Sequence, residues 1–102
     1  MIVELHSLAE EELLEAAQWY ERQCLGLGED LLAEVDQWLT VIAETPELWP
    51  EWSGAPKLDP PIRHAILQRF PFSIAYQHFS EKVIVLAVAH ASRRPFYWRK
   101  RS

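Results

Sequence analysis

Cysteine is nearly missing from this chain, which carries Cys24 alone among 102 residues. A lone thiol forms no internal disulfide, so a disulfide scaffold is excluded and a reducing compartment is expected. Glycine is also scarce, and three glycines do not build a phosphate-cradling loop. No Cys/His spacing suits a metal ion, and no nucleophile elbow is present. Neither a cofactor nor a metal is therefore expected. Long apolar runs are missing too. The longest, Val83 to Ala89, falls far short of a membrane span. The opening Met1 to His6 has neither the basic nor the apolar region of a signal peptide. These absences point to a cytoplasmic protein with no membrane partner.

Bases are missing from half of the chain. Residues 1–52 contain thirteen of the fifteen acids and a single base, Arg22, a local balance of −12. Residues 53–102 contain only Asp59 and Glu81 against nine bases, a balance of +7. The modest net charge of −5 conceals this split. Such asymmetry fits either a face for an anionic partner or two solvated faces of opposite sign.

What is present reads as one domain over residues 1–102, with enough apolar content for one modest core. Ile2 to His6 reads as a short strand. Ser7 with Glu10 forms a capping box, and Glu10, Glu11 and Glu12 sit early in the helix that follows, where its dipole favours acids. Leu13, Ala17, Tyr20, Cys24 and Leu27 form an apolar stripe at helical spacing, which makes Cys24 a core residue. Gly26 and Gly28 end that helix. A second begins near Glu29 or Asp30, with the stripe Leu31, Val35, Trp38 and Ile42, and Pro46 closes it. The short connection predicts a helical hairpin.

Residues 46–61 hold five of the seven prolines and cannot be regular helix or central strand. Trp49 and Trp52 within them read as a lid over the core edge or as contacts for a partner. Three strands then follow, over Ile62–Phe70, Phe72–Phe79 and Lys82–Ala91, rich in β-branched and aromatic residues. Ser80-Glu81 closes the last hairpin. The third strand is apolar on both faces and should be central. The predicted fold is α+β, in the order β-α-α-β-β-β, with the helical hairpin on one face of a small, mostly antiparallel sheet.

The residues able to carry chemistry cluster at the end, from His90 through Arg93-Arg94-Pro95-Phe96-Tyr97-Trp98-Arg99-Lys100-Arg101. Bases interleaved with aromatic rings suit RNA, DNA or an acidic peptide. The alternative is a tail whose Phe96, Tyr97 and Trp98 tuck back onto the core. His64 and His90 have the titration range of a general acid or base. The plainer reading makes His90 a structural hydrogen-bonding residue and His64 a sheet-surface residue.

Three stretches, in order, carry a family likeness. They are Ala16-Ala17-Gln18-Trp19-Tyr20-Glu21 with Gly26-Leu27-Gly28, then Arg63 with Phe70-Pro71-Phe72-Ser73-Ile74-Ala75-Tyr76, then Val88-Ala89-His90, Arg93-Arg94-Pro95 and Tyr97-Trp98-Arg99. In these the chain resembles the RelE/ParE toxins of bacterial type II toxin–antitoxin systems. The resemblance implies the fold already read from periodicity, and a cognate antitoxin as partner. RelE-like members cut messenger RNA on the ribosome, using bases on the late strands to stabilise the phosphate transition state. Here His64, Ile66 and Ser73 stand where that branch carries bases, and only Arg93 matches a catalytic arginine. ParE-like members bind DNA gyrase without chemistry of their own, and this branch fits better. No catalytic residue is favoured. Were the chain a nuclease, Arg93 would have to serve, with His90 or His64 as the proton-transfer group. The expected surface for target or antitoxin is Arg63, Arg69, Arg93, Arg94, Tyr97, Trp98, Arg99, Lys100 and Arg101. A ribosome-dependent endoribonuclease is the alternative, and an antitoxin-binding protein with little toxicity a further one. A homodimer is compatible with all three.

Overall fold

A computed structural model describes all residues from Met1 to Ser102. Its elements run β1 (Ile2–Leu5), α1 (Ser7–Gln23), α2 (Leu27–Glu44), β2 (Ile62–Ile66), β3 (Phe72–His78) and β4 (Lys82–His90), followed by a short 3₁₀ turn over Arg99–Arg101. The four strands form one sheet in the order β1-β4-β3-β2. β1 lies parallel to β4, while the β2–β3 and β3–β4 pairs are antiparallel. The expected α+β order and the central place of β4 are both found. No helix is long and apolar enough to cross a membrane.

The helical hairpin covers one face of the sheet. Ala9, Leu13 and Ala17 of α1 and Leu31, Val35 and Ile42 of α2 are buried against Phe72, Ile74, Tyr76, Val83, Val85 and Val88. These are the inward positions of a 3.6-residue repeat meeting those of a two-residue repeat. The opposite face carries a smaller cluster, Ile62, Ala75, Leu86, Ala87, Ala89 and Trp98. β4 therefore buries side chains on both faces, which is why it is apolar without alternation. A bulge at Leu86, between the Tyr76–Val85 and Ala75–Ala87 pairs, puts two consecutive residues on the second face.

Local chemistry departs from the sequence expectation at three joints. His6, not Ser7, caps α1. The His6 backbone N–H still extends the ladder by donating to Val85 O at 2.8 Å while its imidazole Nδ1 accepts from Leu8 N at 3.1 Å, so the helix begins at Ser7, one residue earlier than a Ser7 cap would place it. Cys24 is not in the core. It sits in extended conformation just past α1, exposed, because the chain is already turning toward α2. Leu27 belongs to α2, which begins earlier than expected. There the Glu21 carboxylate accepts from Gly26 N at 2.8 Å and Gly28 N at 3.0 Å, supplying the cap that Gly26 lacks. Gly26 adopts φ of +90°, a conformation glycine allows without strain.

β2 stops at Ile66 instead of Phe70. A carboxylate from α2 takes over the backbone beyond it, with Glu34 accepting from Gln68 N at 2.6 Å and Arg69 N at 3.1 Å. The Ser80-Glu81 hairpin forms as expected, with Phe79 N donating to Lys82 O at 2.8 Å. The proline-rich segment is a lid. Trp49 packs edge-on against Trp38 at 4.9 Å between ring centroids, and Trp52 lies over Trp98 at 5.3 Å. The Tyr76 hydroxyl, donating to Pro46 O at 2.7 Å, helps hold the segment down, and burial pushes its pKa up to about 12 despite the nearby Arg63 charge.

Candidate functional site

The residues singled out in the sequence divide into two sets in space. His64 projects from β2 toward the second cluster, stacked on Trp52 at 4.5 Å. Its Nδ1 is buried without a hydrogen-bond partner, and burial lowers its pKa below the usual 6.5. His90, at the end of β4, projects to the helical face and meets Phe72 edge-on at 5.0 Å. The His90 Nδ1 lies 3.0 Å from Ser92 N and 2.7 Å from Ser92 Oγ, so this ring shapes the turn after β4. The sheet thus stands between the two histidines. Ile66 and Ser73, paired across β2 and β3, offer no charge.

Three residues of the expected binding surface are engaged within the fold. Arg63 donates to Trp49 O at 2.7 Å and Glu47 O at 3.3 Å, pinning the lid. Trp98 is 1% exposed and completes the second cluster. Arg101 grips Glu12 with both guanidinium nitrogens, at 2.8 and 3.1 Å, and also donates to Leu86 O at 3.1 Å. The tail therefore tucks back through its aromatic rings while keeping several cations outside.

Those cations are Arg93, Arg94, Arg99 and Lys100, all exposed, with Arg69 on the loop after β2. Arg69 is partly engaged by Asp30 at 3.3 Å, an exposed pair of small energetic weight. Pro71 O accepts from Ala91 N, so the Arg69 loop and the start of the tail leave the same end of the sheet. Arg93 stacks over the Tyr97 ring at 4.1 Å, and Arg101 approaches the same ring at 5.3 Å. The Tyr97 hydroxyl donates to Glu12, and burial, that hydrogen bond and the Glu12 charge together raise its pKa, against Arg93 and Arg101.

Two hollows flank the start of the tail. One, of about 360 Å³, runs between α1 and the end of β4 and is walled by Glu15, Trp19, Tyr20, His90 and Arg93. Trp19, one residue off the α1 stripe, is 51% exposed there. The other, of about 210 Å³, opens on the second face beside Trp52, Ser73, Arg94 and Phe96. A hollow of about 370 Å³ between α2 and the Gln68–Arg69 loop carries no cation besides Arg69, so the basic tail with its two flanking hollows is the candidate site. Guanidinium groups backed by aromatic rings have the chemistry to meet an anionic or acidic surface.

Sequence reading missed Glu12 as a member of this site. It counted only as one of three acids near the start of α1, and its partners Tyr97 and Arg101 lie 85 and 89 residues away. No local pattern announces such a contact. No groups of His, Cys, Asp and Glu gather closely enough to hold a metal ion.

The sequence profile of the family described as "ParE toxin of type II toxin-antitoxin system, parDE" matches residues 3–95. No curated protein matches the chain. Among solved structures, the chain is similar in fold to one from the chromosomal ParDE TA system of P. aeruginosa, with a TM-score of 0.65 and 17% identity over 90% of this chain and 97% of that one. The profile spans both helices, all four strands and the first part of the tail, and on that match the chain belongs to the ParE toxin family of type II toxin–antitoxin systems.

Proposed function

We infer that this toxin acts in the cytoplasm by binding DNA gyrase, without catalysis of its own, and that a cognate antitoxin silences it. The observation that supports this reading is that the groups a nuclease would need are already engaged or apart. His64 is buried across the sheet from the others, and although His90 and Arg93 share one hollow, the His90 ring is held by Ser92 and Arg93 is stacked on Tyr97. A phosphate transition state requires its acid, base and cation within hydrogen-bond reach of one reacting group. The exposed cations of the tail suit partner contact instead, and the antitoxin reads as an acidic segment that orders on binding.

Purified toxin, freed of antitoxin, is expected to accumulate gyrase-linked DNA breaks and to leave ribosome-bound messenger RNA intact. Replacing Arg99 and Lys100 together by alanine should weaken the gyrase effect without unfolding the chain, since neither side chain is buried. Ribosome-dependent cleavage that Arg93→Ala abolishes would overturn this reading in favour of the nuclease. The absence of both activities, with antitoxin fully removed, would favour an antitoxin-binding protein without a poison.

A further inference from the structure

β4 is longer than the strand beside it. β1 pairs only with Lys82 to Val85, and His6 N closes the ladder on Val85 O. Beyond that point the outer edge of β4 has no strand neighbour, and its polar groups need other partners. Two side chains provide them. Glu12 Oε1 accepts from Val88 N at 3.2 Å, and Arg101 Nη1 donates to Leu86 O at 3.1 Å. The same two side chains pair with each other, and the Tyr97 hydroxyl donates to the other Glu12 oxygen. Both are mostly buried, with side chains 16% exposed for Glu12 and 12% for Arg101.

We propose that Glu12 is the positioning residue of the basic tail: one carboxylate on α1 ties Tyr97 and Arg101 to the open edge of β4 and so holds Arg93, Arg94, Arg99 and Lys100 in a preformed cationic surface. Four donors converge on this carboxylate, three of them from side chains of the tail. Tyr97, fixed through its hydroxyl, is the ring on which Arg93 stacks. Arg101, fixed by the carboxylate, ends the turn that carries Arg99 and Lys100. A surface ordered before encounter loses less conformational freedom on binding than a free tail does. This proposal rests on the reading of the tail as the partner-contact surface. The tie to β4 stands apart from it.

Backbone hydrogen exchange on the full chain tests the tie, with Glu12→Gln, which keeps the shape but removes the charge, and Tyr97→Phe, which removes only the hydroxyl link. In Glu12→Gln, exchange at the Val88, Arg99 and Arg101 amides should quicken by about tenfold or more, while Ile74 and Tyr76 in β3 keep wild-type rates. Tyr97→Phe should quicken the same amides to a lesser extent. The Tyr97 ring, followed by NMR, should titrate at lower pH in Glu12→Gln, because the carboxylate charge that favours its neutral form is gone. A gyrase inhibition curve then measures the consequence, with Glu12→Gln shifted to higher toxin concentration although every exposed cation remains. Unchanged exchange at these amides, or equal acceleration in β3, overturns the proposal, and so does full potency with a loosened tail. A wild-type protein that leaves gyrase untouched while the exchange pattern appears as expected would refute the target and leave the tie intact.

Discussion

His64 illustrates how a single side chain can look catalytic in sequence and serve packing in space. Its ring stacks on Trp52, part of the lid over the second face, and its Nδ1 finds no partner there. Burial disfavours the imidazolium, so the folded-state pKa lies below the usual 6.5. Folding favours the neutral ring, so this contribution to stability is present above pH 6.5 and is lost as pH falls through it. Urea midpoints at about pH 7.5 and about pH 5 should fall further for the wild type than for His64→Phe, which keeps a ring on Trp52 but cannot titrate. Equal losses in the two proteins would contradict the burial of this ring. The tryptophans show the same division between type and place. The spacing put Trp38 on the buried stripe and Trp19 beside it, and the structure leaves Trp38 half-buried against Trp49 and Trp19 half in solvent. Trp98, which the sequence left between a partner contact and a core residue, is among the largest fully buried side chains.

At the scale of elements, the helical hairpin depends on one close approach. Gly28, at the start of α2, faces the backbone of α1, and a Cβ added there would lie 2.3 Å from Ala17 O. Within a helix, exchanging glycine for alanine ordinarily stabilises by about 1 kcal/mol. Here overpacking against backbone should reverse the sign, with Gly28→Ala destabilising by about 1–3 kcal/mol in denaturant titration. A stabilised variant would mean the hairpin opens more easily than its packing implies. The element boundaries share a pattern. Each one misplaced in the sequence is set by a carboxylate or imidazole acting over distance or from an unexpected side. Glu21 caps α2, Glu34 captures the loop after β2, and His6 caps α1. Periodicity identifies the buried stripes of helices and strands because burial repeats with the backbone. It carries no signal for a carboxylate that serves an amide 34 residues away, as Glu34 does for Gln68.

Across the whole molecule, the two oppositely charged halves of the chain do not fold into two faces held together by charge. Four ion pairs, one of them through His78, each link an acid of the first half to a base of the second, but three have a well-exposed partner and only Arg101–Glu12 is mostly buried on both sides. Most acids of the first half line the helices, and most of the spare cations stay on the tail. A surface of this kind recruits an anionic partner by long-range attraction, which salt screens. Association of the toxin with its antitoxin or target should therefore slow as ionic strength rises from about 0.05 to about 0.5 M, with dissociation changing less, as stopped-flow kinetics would read. An association rate indifferent to salt would leave the tail without a steering role. Sequence alone determined the α+β order, the hairpin, the central strand and the resemblance to the ParE branch, because those follow from local periodicity, turn chemistry and ordered motifs. Tertiary structure alone decided which tail residues face outward, that the sheet stands between His64 and His90, and that Glu12 receives Tyr97 and Arg101. Those outcomes depend on which segments meet after the chain has closed on itself, and residues 85 and 89 positions apart leave no mark on each other's neighbours in the sequence.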